Sequence, residues 1–438
     1  MIKSEIRPMR WLMSFLASGV ATIFPIHQNS GNDASPRPNI IVILADDLGT
    51  GDTSVYGGWV KTPHLEQLAA EGLLFKDFHA NSSVCSPTRA AFLTGRYQQR
   101  VGIVDVVARH LDTPGLDPNE STIPSLLKKA GYQTALFGKW HLGTEPKFNP
   151  IHHGFDQFRG YLDGYVDYHL HQRTWMNGLA NEDQKGYTTH LITRNAIEFI
   201  NQARNEPFFM MVSHEAVHLP FQTPDDTAEN RKPIPKSERW SRTRIRPKYK
   251  VMLEEMDKGI GEIINALKQK KIANNTLVFF FSDNGAIGAG SNSPFRGGKF
   301  SHFEGGHRVP AIGWWPGKIK PGQQTDQLIM AMDLLPTFAE LANVDLSPQR
   351  RPDGVSIGKV LFENKSLPER PVFFGYEPKL GTAMRDGDWK MIIKSEDVQL
   401  FDLSKDIGEK INLANQFPKI VRQMRAKIDN WKKTVAPR

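Results

Sequence analysis

The chain has 438 residues, with 55 Lys and Arg against 47 Asp and Glu, a formal net charge of +8, 39% hydrophobic residues and one Cys. That is ordinary globular composition, which excludes wholesale disorder. A single Cys excludes a disulfide framework and a Cys-ligated structural zinc, and at roughly 150 residues per domain the length admits two or three domains, or one large domain with an appendage.

Residues 1–30 read as a signal peptide. Lys3, Arg7 and Arg10 precede an apolar run from Trp11 to Phe24. That run is too short and too interrupted to serve as a permanent membrane span. The expected location is therefore exported, either periplasmic or secreted, with candidate cleavage positions around Ala17–Ala21. Removing the leader leaves a charge of about +6, which suits an anionic substrate as well as a solvated surface.

Past the leader, Ile40–Leu44 is the first of four short apolar runs with the length and composition of buried strands. Helices are expected over Leu65–Glu71 and over Ile123–Ala130, the latter opened by Ser121 and closed by Gly131. The next strands are Thr134–Phe137 and Phe208–Val212. Tyr249–Lys271 then sets Met252, Met256, Ile260, Ile263, Ile264 and Leu267 on one helical face, and Leu277–Phe281 is the fourth strand. Continuous apolar strands alternating with helices predict an α/β fold, a large mainly parallel or mixed sheet sandwiched by helices. From about Arg370 the segments Pro371–Tyr376, Gly381–Arg385, Trp389–Ile393 and Gln399–Leu403 are short and turn-separated, with a closing helix near Pro418–Thr434. They predict a small C-terminal antiparallel-sheet subdomain over 370–438, leaving 38–369 as the catalytic domain.

Polar residues follow the four strands in turn: Asp46-Asp47, Lys139 with His141, His214 with His218, and Asp283-Asn284. The carboxyl ends of parallel strands share one edge, where ligands bind. Asp46, Asp47, Asp283 and Asn284 are hard oxygen donors that suit Ca²⁺, or Mg²⁺ in a site that keeps several waters. Each pair alone also fits a helix cap or a turn. Cys85 opens a segment in which Pro87, good helix formers and Gly95 describe a short helix. A helix N-terminus holds anions well, and Arg89 and Arg96 add cations, so the residues by themselves read as an activated Cys nucleophile.

Cys85-Ser86-Pro87-Thr88-Arg89 with Thr94-Gly95-Arg96 resembles the signature of the type I, formylglycine-dependent sulfatases, of the alkaline phosphatase-like superfamily. The likeness runs along nearly the whole mature chain: Pro38 through Gly49, Gly138-Lys139-Trp140-His141-Leu142-Gly143, Phe281 through Gly285, Gly298-Lys299 through Gly306, and Gln399 through Leu403 with Asn412-Leu413-Ala414. The resemblance implies that a formylglycine-generating maturation enzyme oxidises Cys85. It implies Ca²⁺ held by Asp46, Asp47, Asp283, Asn284 and an oxygen of the converted residue 85. One hydroxyl of the hydrated aldehyde would attack sulfur, and deprotonating the other would expel sulfate. Arg89, Lys139 and Lys299 would hold the sulfate oxygens, with Ca²⁺ as Lewis acid. Asp283 would take the nucleophile's proton, His141 that of the second hydroxyl, and Lys299 with a His after the third strand would serve the leaving oxygen. The family spacing, a His two residues before a Pro, favours His218 over His214.

Specificity is expected between the signatures, in Gly160–Trp175, where Tyr161, Asp163, Tyr165, Asp167, Tyr168, His169, His171, Arg173 and Trp175 mix aromatic with polar groups. Such residues suit sugar faces and hydroxyls, and they equally suit a hairpin packed on the core. The resemblance implies His169 as a substrate contact, since the family often places a sulfate-directed polar group hereabouts. The basic run Lys236–Lys250 reads as a solvated stretch or a guide for a polyanion. The function expected is hydrolysis of a sulfate ester on a carbohydrate or sulfated polysaccharide. The alternatives are a phosphate or phosphonate monoester hydrolase on the same scaffold and a non-catalytic glycan-binding protein. Nucleic acid is not an expected partner, because the charge is diffuse and no P-loop or complete dinucleotide motif occurs.

Overall fold

The computed structural model describes residues 37–108, 113–172, 174–202, 204–230, 241–377 and 381–436. The leader, Arg173 and the first part of the basic run lie outside them. Each of the four apolar runs forms a strand, extended by one or two residues at its ends: Asn39–Ala45, Gln133–Lys139, Phe208–Ser213 and Thr276–Ser282. They lie side by side, all parallel, within a ten-stranded mixed sheet. Gln157–Tyr161 extends the parallel block beside Gln133–Lys139, and Ala311–Trp314 turns antiparallel on the other flank.

Why these runs are apolar throughout is visible in the first strand. Ile41, Ile43 and Ala45 point into a core shared with the helices Thr188–Asn201 and Arg242–Gln269. Ile40, Val42 and Leu44 point into a second core with the helices Cys85–Thr94, Ile123–Lys129 and Leu334–Leu341. With helices on both faces neither side of a strand meets water, so hydrophobic alternation disappears.

Helix starts depart from expectation in informative ways. The helix expected from Leu65 begins at Pro63, and its exposed N–H groups are met by the Asp257 carboxylate, which accepts from His64 and Leu65 at 3.0 and 2.9 Å. Thr122 rather than Ser121 caps Ile123–Lys129, in a reciprocal pair with Ser125. The long helix begins at Arg242, not Tyr249, and runs through Pro247 with buried Ile245 anchoring its first turns. In the described part of the basic run, Arg246 lies over the Trp59 ring and Lys248 pairs with Asp226.

Val372–Glu377, Gly381–Asp386, Trp389–Lys394 and Asp397–Asp402 form a four-stranded antiparallel sheet in sequence order, followed by the helix Pro418–Val435. Their apolar side chains share a core with Ala91, Tyr97, Met330 and Met332. A buried ionic network joins the two parts. Lys390 Nζ sits 2.9 Å from both Glu304 and Glu409, while Arg385 reaches Glu304 at 3.1 Å and Asp77 at 3.4 Å. Removing one member of such a network strands buried charge, so Lys390→Met should cost about 3–5 kcal/mol. A urea unfolding midpoint indistinguishable from wild type would contradict that expectation.

Candidate active site

Sheet register assembles the site. Leu44 pairs with Ser213 and Ala45 with Ser282, while Gly138 pairs with Ser213 on the other side. The residues just beyond, Asp46, His214, Lys139 and Asp283, therefore leave the sheet along one edge. Cys85 is buried as the first residue of the helix Cys85–Thr94, which Gly95 ends in the left-handed conformation at φ +66°.

Three carboxylates and three cations interlock here. Arg89 donates from Nε to Asp283 Oδ2 at 2.9 Å and lies 2.8 Å away through Nη2, with Nη1 donating to Ser213 Oγ at 2.7 Å and to the Lys139 carbonyl at 3.2 Å. Lys139 Nζ bonds Asp46 Oδ2. Asp47 Oδ1 accepts from Lys299 Nζ at 2.7 Å and from Asn284 Nδ2 at 2.6 Å. His218 Nε2 lies 3.7 Å from Asp47 Oδ2, and its Nδ1 is 2.7 Å from the Leu219 carbonyl. That carbonyl can only accept, so the proton sits on Nδ1 and Nε2 faces Asp47.

Burial and charge set the protonation states. Burial alone would raise the Asp46 carboxyl, but Lys139, His218 and Arg89 hold it well below the usual range. Burial and neighbouring Asp46 push Asp283 up to about 6 in spite of Arg89. Burial also works against the Lys299 cation, yet Asp47 more than restores it. His141 is held well below its ordinary value by burial and then by Lys139 and Arg89, so it is a neutral base at pH 7. The Cys85 thiol is raised by burial, with Lys139 and Lys299 pulling the other way. A thiol kept protonated is a poor nucleophile as it stands, which weighs against the activated-Cys reading.

The donor set fits a hard cation. Asp46 Oδ1 and Asn284 Oδ1 are buried without a hydrogen-bond partner among the described residues, and Asp46, Asp47 and His218 place ligand atoms within 4.8 Å of one another. Orphaned buried oxygens beside paired carboxylates are what an oxygen-ligated divalent ion requires. With the three side-chain cations balancing the three carboxylates, such an ion would leave the pocket positive, ready for an anion.

The remaining candidates lie elsewhere or play other parts. The His214 ring is buried without a hydrogen-bond partner among the described residues, with its pKa pushed down to about 3 by burial. His169 Nε2 is 2.9 Å from the Thr223 carbonyl, and its ring packs beside Tyr187 rather than on any of these groups. Tyr161, Tyr168 and Trp175 are core, while Tyr165 is exposed. Sequence reasoning overlooked Ser213, which orients Arg89. It also overlooked Asp52, a buried carboxyl raised to about 6 by burial that accepts from Gly49 N–H, Trp59 Nε1, Tyr249 Oη and Ser291 N–H. Asp52 thereby braces the loop carrying Asp46 and Asp47. Gly164 was missed as well: a Cβ there would come within 2.7 Å of His141 Nε2.

An α/β sheet edge that gathers buried cations, oxygen donors and a helix N-terminus defines a hydrolase of anionic esters. The chain belongs to the sulfatase family: residues 38–344 match the Sulfatase profile, and residues 298–434 match the profile described as N-sulphoglucosamine sulphohydrolase, C-terminal. It is a sulfuric ester hydrolase. N-acetylgalactosamine-6-sulfatase of Homo sapiens is 38% identical over 376 residues, spanning 78% of this chain and 69% of that protein. Arylsulfatase G of Rattus norvegicus is 33% identical over 424 residues, spanning 85% and 77%. Among solved structures, Ps i-CgsB in complex with k-i-k-neocarrahexaose superposes with a TM-score of 0.81 at 28% identity, covering 90% of this chain and 92% of that one. The PsFucS1 sulfatase from Pseudoalteromonas sp. gives 0.75 at 27% identity, covering 91% of each.

Proposed function

We propose that this protein is an exported sulfatase that removes a sulfate ester from a carbohydrate, using a formylglycine made from Cys85 and a bound Ca²⁺. The observation that carries the reading is the balanced ring of Asp46, Asp47 and Asp283 against Arg89, Lys139 and Lys299, with unpartnered Asp46 and Asn284 oxygens, around a buried residue 85. The carbohydrate part is supported by relatives named for a sugar sulfate and by the neighbour bound to a neocarrahexaose. Export is supported by the leader's charge and apolar run.

Asp46, Asp47, Asp283 and Asn284 would hold the metal, which when bound supplies Lewis acidity and a template for the sulfate oxygens. A hydrated formylglycine would supply an oxygen nucleophile and a second hydroxyl for sulfate release. The chain's own groups then share the remaining work. Lys139, Lys299 and Arg89 neutralise the sulfate oxygens from buried positions, where such charges act strongly. Asp283 would take a proton from residue 85 through Oδ1, the oxygen that Arg89 does not hold, and neutral His141 would take a second. His218 Nε2 and Lys299 Nζ, both on Asp47, serve the leaving oxygen. Because Cys85, Pro87 and Arg89 are buried, a maturation enzyme would have to read them before the chain folds.

Two measurements test this reading. Mass spectrometry of the residue 85 peptide from active enzyme should show the aldehyde or its hydrate; an intact thiol in fully active protein would overturn it. Relative kcat/KM for the sulfate, phosphate and phosphonate esters of one phenol should favour sulfate, whereas a clear preference for phosphonate would move the protein to the neighbouring activity.

A further inference from the structure

Asp47 gathers both groups assigned to the leaving oxygen, Lys299 on Oδ1 and His218 beside Oδ2. The alcohol released from the ester must therefore be seated over these two side chains. Each of them carries an exposed aromatic ring. Tyr165 stacks on the His218 imidazole, with centroids 6.2 Å apart and planes 24° from parallel, yet 56% of the residue is exposed. Phe300 follows Lys299, whose ammonium lies 5.7 Å from the ring centroid, and it is 48% exposed. Among the described residues only Tyr165, Phe300 and Phe417 are exposed large aromatics, and two of the three adjoin the leaving-group residues. Aromatic rings beside a few convergent polar groups are the usual lining of a small-molecule site.

Both rings are held by the fold. Phe300 adopts φ +67°, a region that costs a bulky residue on the order of 1–3 kcal/mol. Its N–H donates at 3.0 Å to the carbonyl of Ser83, two residues before Cys85. Tyr165 lies between Gly164, bonded to Asp163 Oδ1, and Val166, whose N–H donates at 2.9 Å to Glu215 Oε1 in the loop that also carries His218. Each ring is thus tied by backbone hydrogen bonds to a segment near the site.

We propose that Tyr165 and Phe300 are specificity-determining residues that take the apolar C–H faces of the pyranose ring bearing the sulfate. The proposal rests on the sulfatase reading above, because it places the leaving alcohol at His218 and Lys299. A pyranose offers one such face to each aromatic ring, while its ester oxygen drops between the two polar side chains.

The test uses mature enzyme, a panel of sulfated mono- and disaccharides, and inorganic sulfate as a competitive probe of the oxyanion pocket alone. Tyr165→Ala and Phe300→Ala should each raise KM for the best saccharide about tenfold, with Tyr165→Phe and Phe300→Tyr near wild type and Ki for inorganic sulfate unchanged. Unaltered KM in both alanine variants, or a Ki for sulfate that rises in step with KM, would overturn the assignment. Should wild type release no sulfate from any saccharide, the sulfatase reading on carbohydrate fails separately. Calorimetric binding of the same sugars to Cys85→Ala, with and without the two truncations, then decides the aromatic contacts: weaker binding on truncation supports them, and equal binding removes them.

Discussion

On the proposed mechanism, Cys85→Ala should yield a folded protein that still binds Ca²⁺ through Asp46, Asp47, Asp283 and Asn284, more weakly for want of the residue 85 oxygen, and should lose turnover by at least about 10³-fold. The structural side is mild. Residue 85 is the first of a helix that alanine favours, and the thiol fills little space there, so stability should fall by no more than about 1–2 kcal/mol. The chemical side is severe, because Asp283, His141, Lys139 and Lys299 surround a position that no longer offers an atom to attack sulfur. Sulfate release and calcium-dependent melting, measured on one preparation, separate the two effects. A residual rate above a few per cent of wild type would mean that another group attacks sulfur.

Asp283→Ala should remove activity and the calcium response together. Its carboxylate is the partner of both Nε and Nη2 of Arg89, a guanidinium with no access to solvent. Alanine leaves that cation with Ser213 Oγ, the Lys139 carbonyl and, 3.6 Å from Nη2, an Asp46 carboxylate already shared with Lys139, at a cost of about 3 kcal/mol. A ligand binding only the native state adds about 2.7 kcal/mol at a hundred times its Kd, so wild type should melt higher in saturating Ca²⁺. The variant should not. Asp283→Asn keeps the shape and an oxygen that can still face Arg89 or the metal, so it isolates the loss of the carboxylate charge and of the proton acceptor. A calcium-dependent melting shift of wild-type size in Asp283→Ala would strike Asp283 from the ligand set.

Much of the fold was legible because its signals are local. All four buried strands declared themselves as short β-branched and aromatic runs. The C-terminal strands appeared between turns, and Gly95 marked the end of the Cys85 helix. Where a helix start or cap differed, the deciding group was another residue's side chain: Asp257 caps Pro63–Glu71 from another helix, Thr122 displaces Ser121 as cap of Ile123–Lys129 through Ser125, and buried Ile245 anchors the early start at Arg242. The candidate site was legible as a set of strand ends, since parallel strands align those ends whatever their order in the chain.

Chemistry-bearing residue types at strand ends, and the ordered motifs from Asp46 to Lys299, were determined by the sequence alone, because periodicity and motif spacing are properties of neighbouring residues. Only the tertiary structure decided that Ser213 orients Arg89, that Asp52 meets Tyr249, and that Lys390 meets Glu304 and Glu409. It alone separated exposed Tyr165 from buried Tyr161, Tyr168 and Trp175 within one short segment. These are pairings across tens to hundreds of residues, and a side chain's partner at that range is set by sheet register and helix packing, which no local pattern encodes.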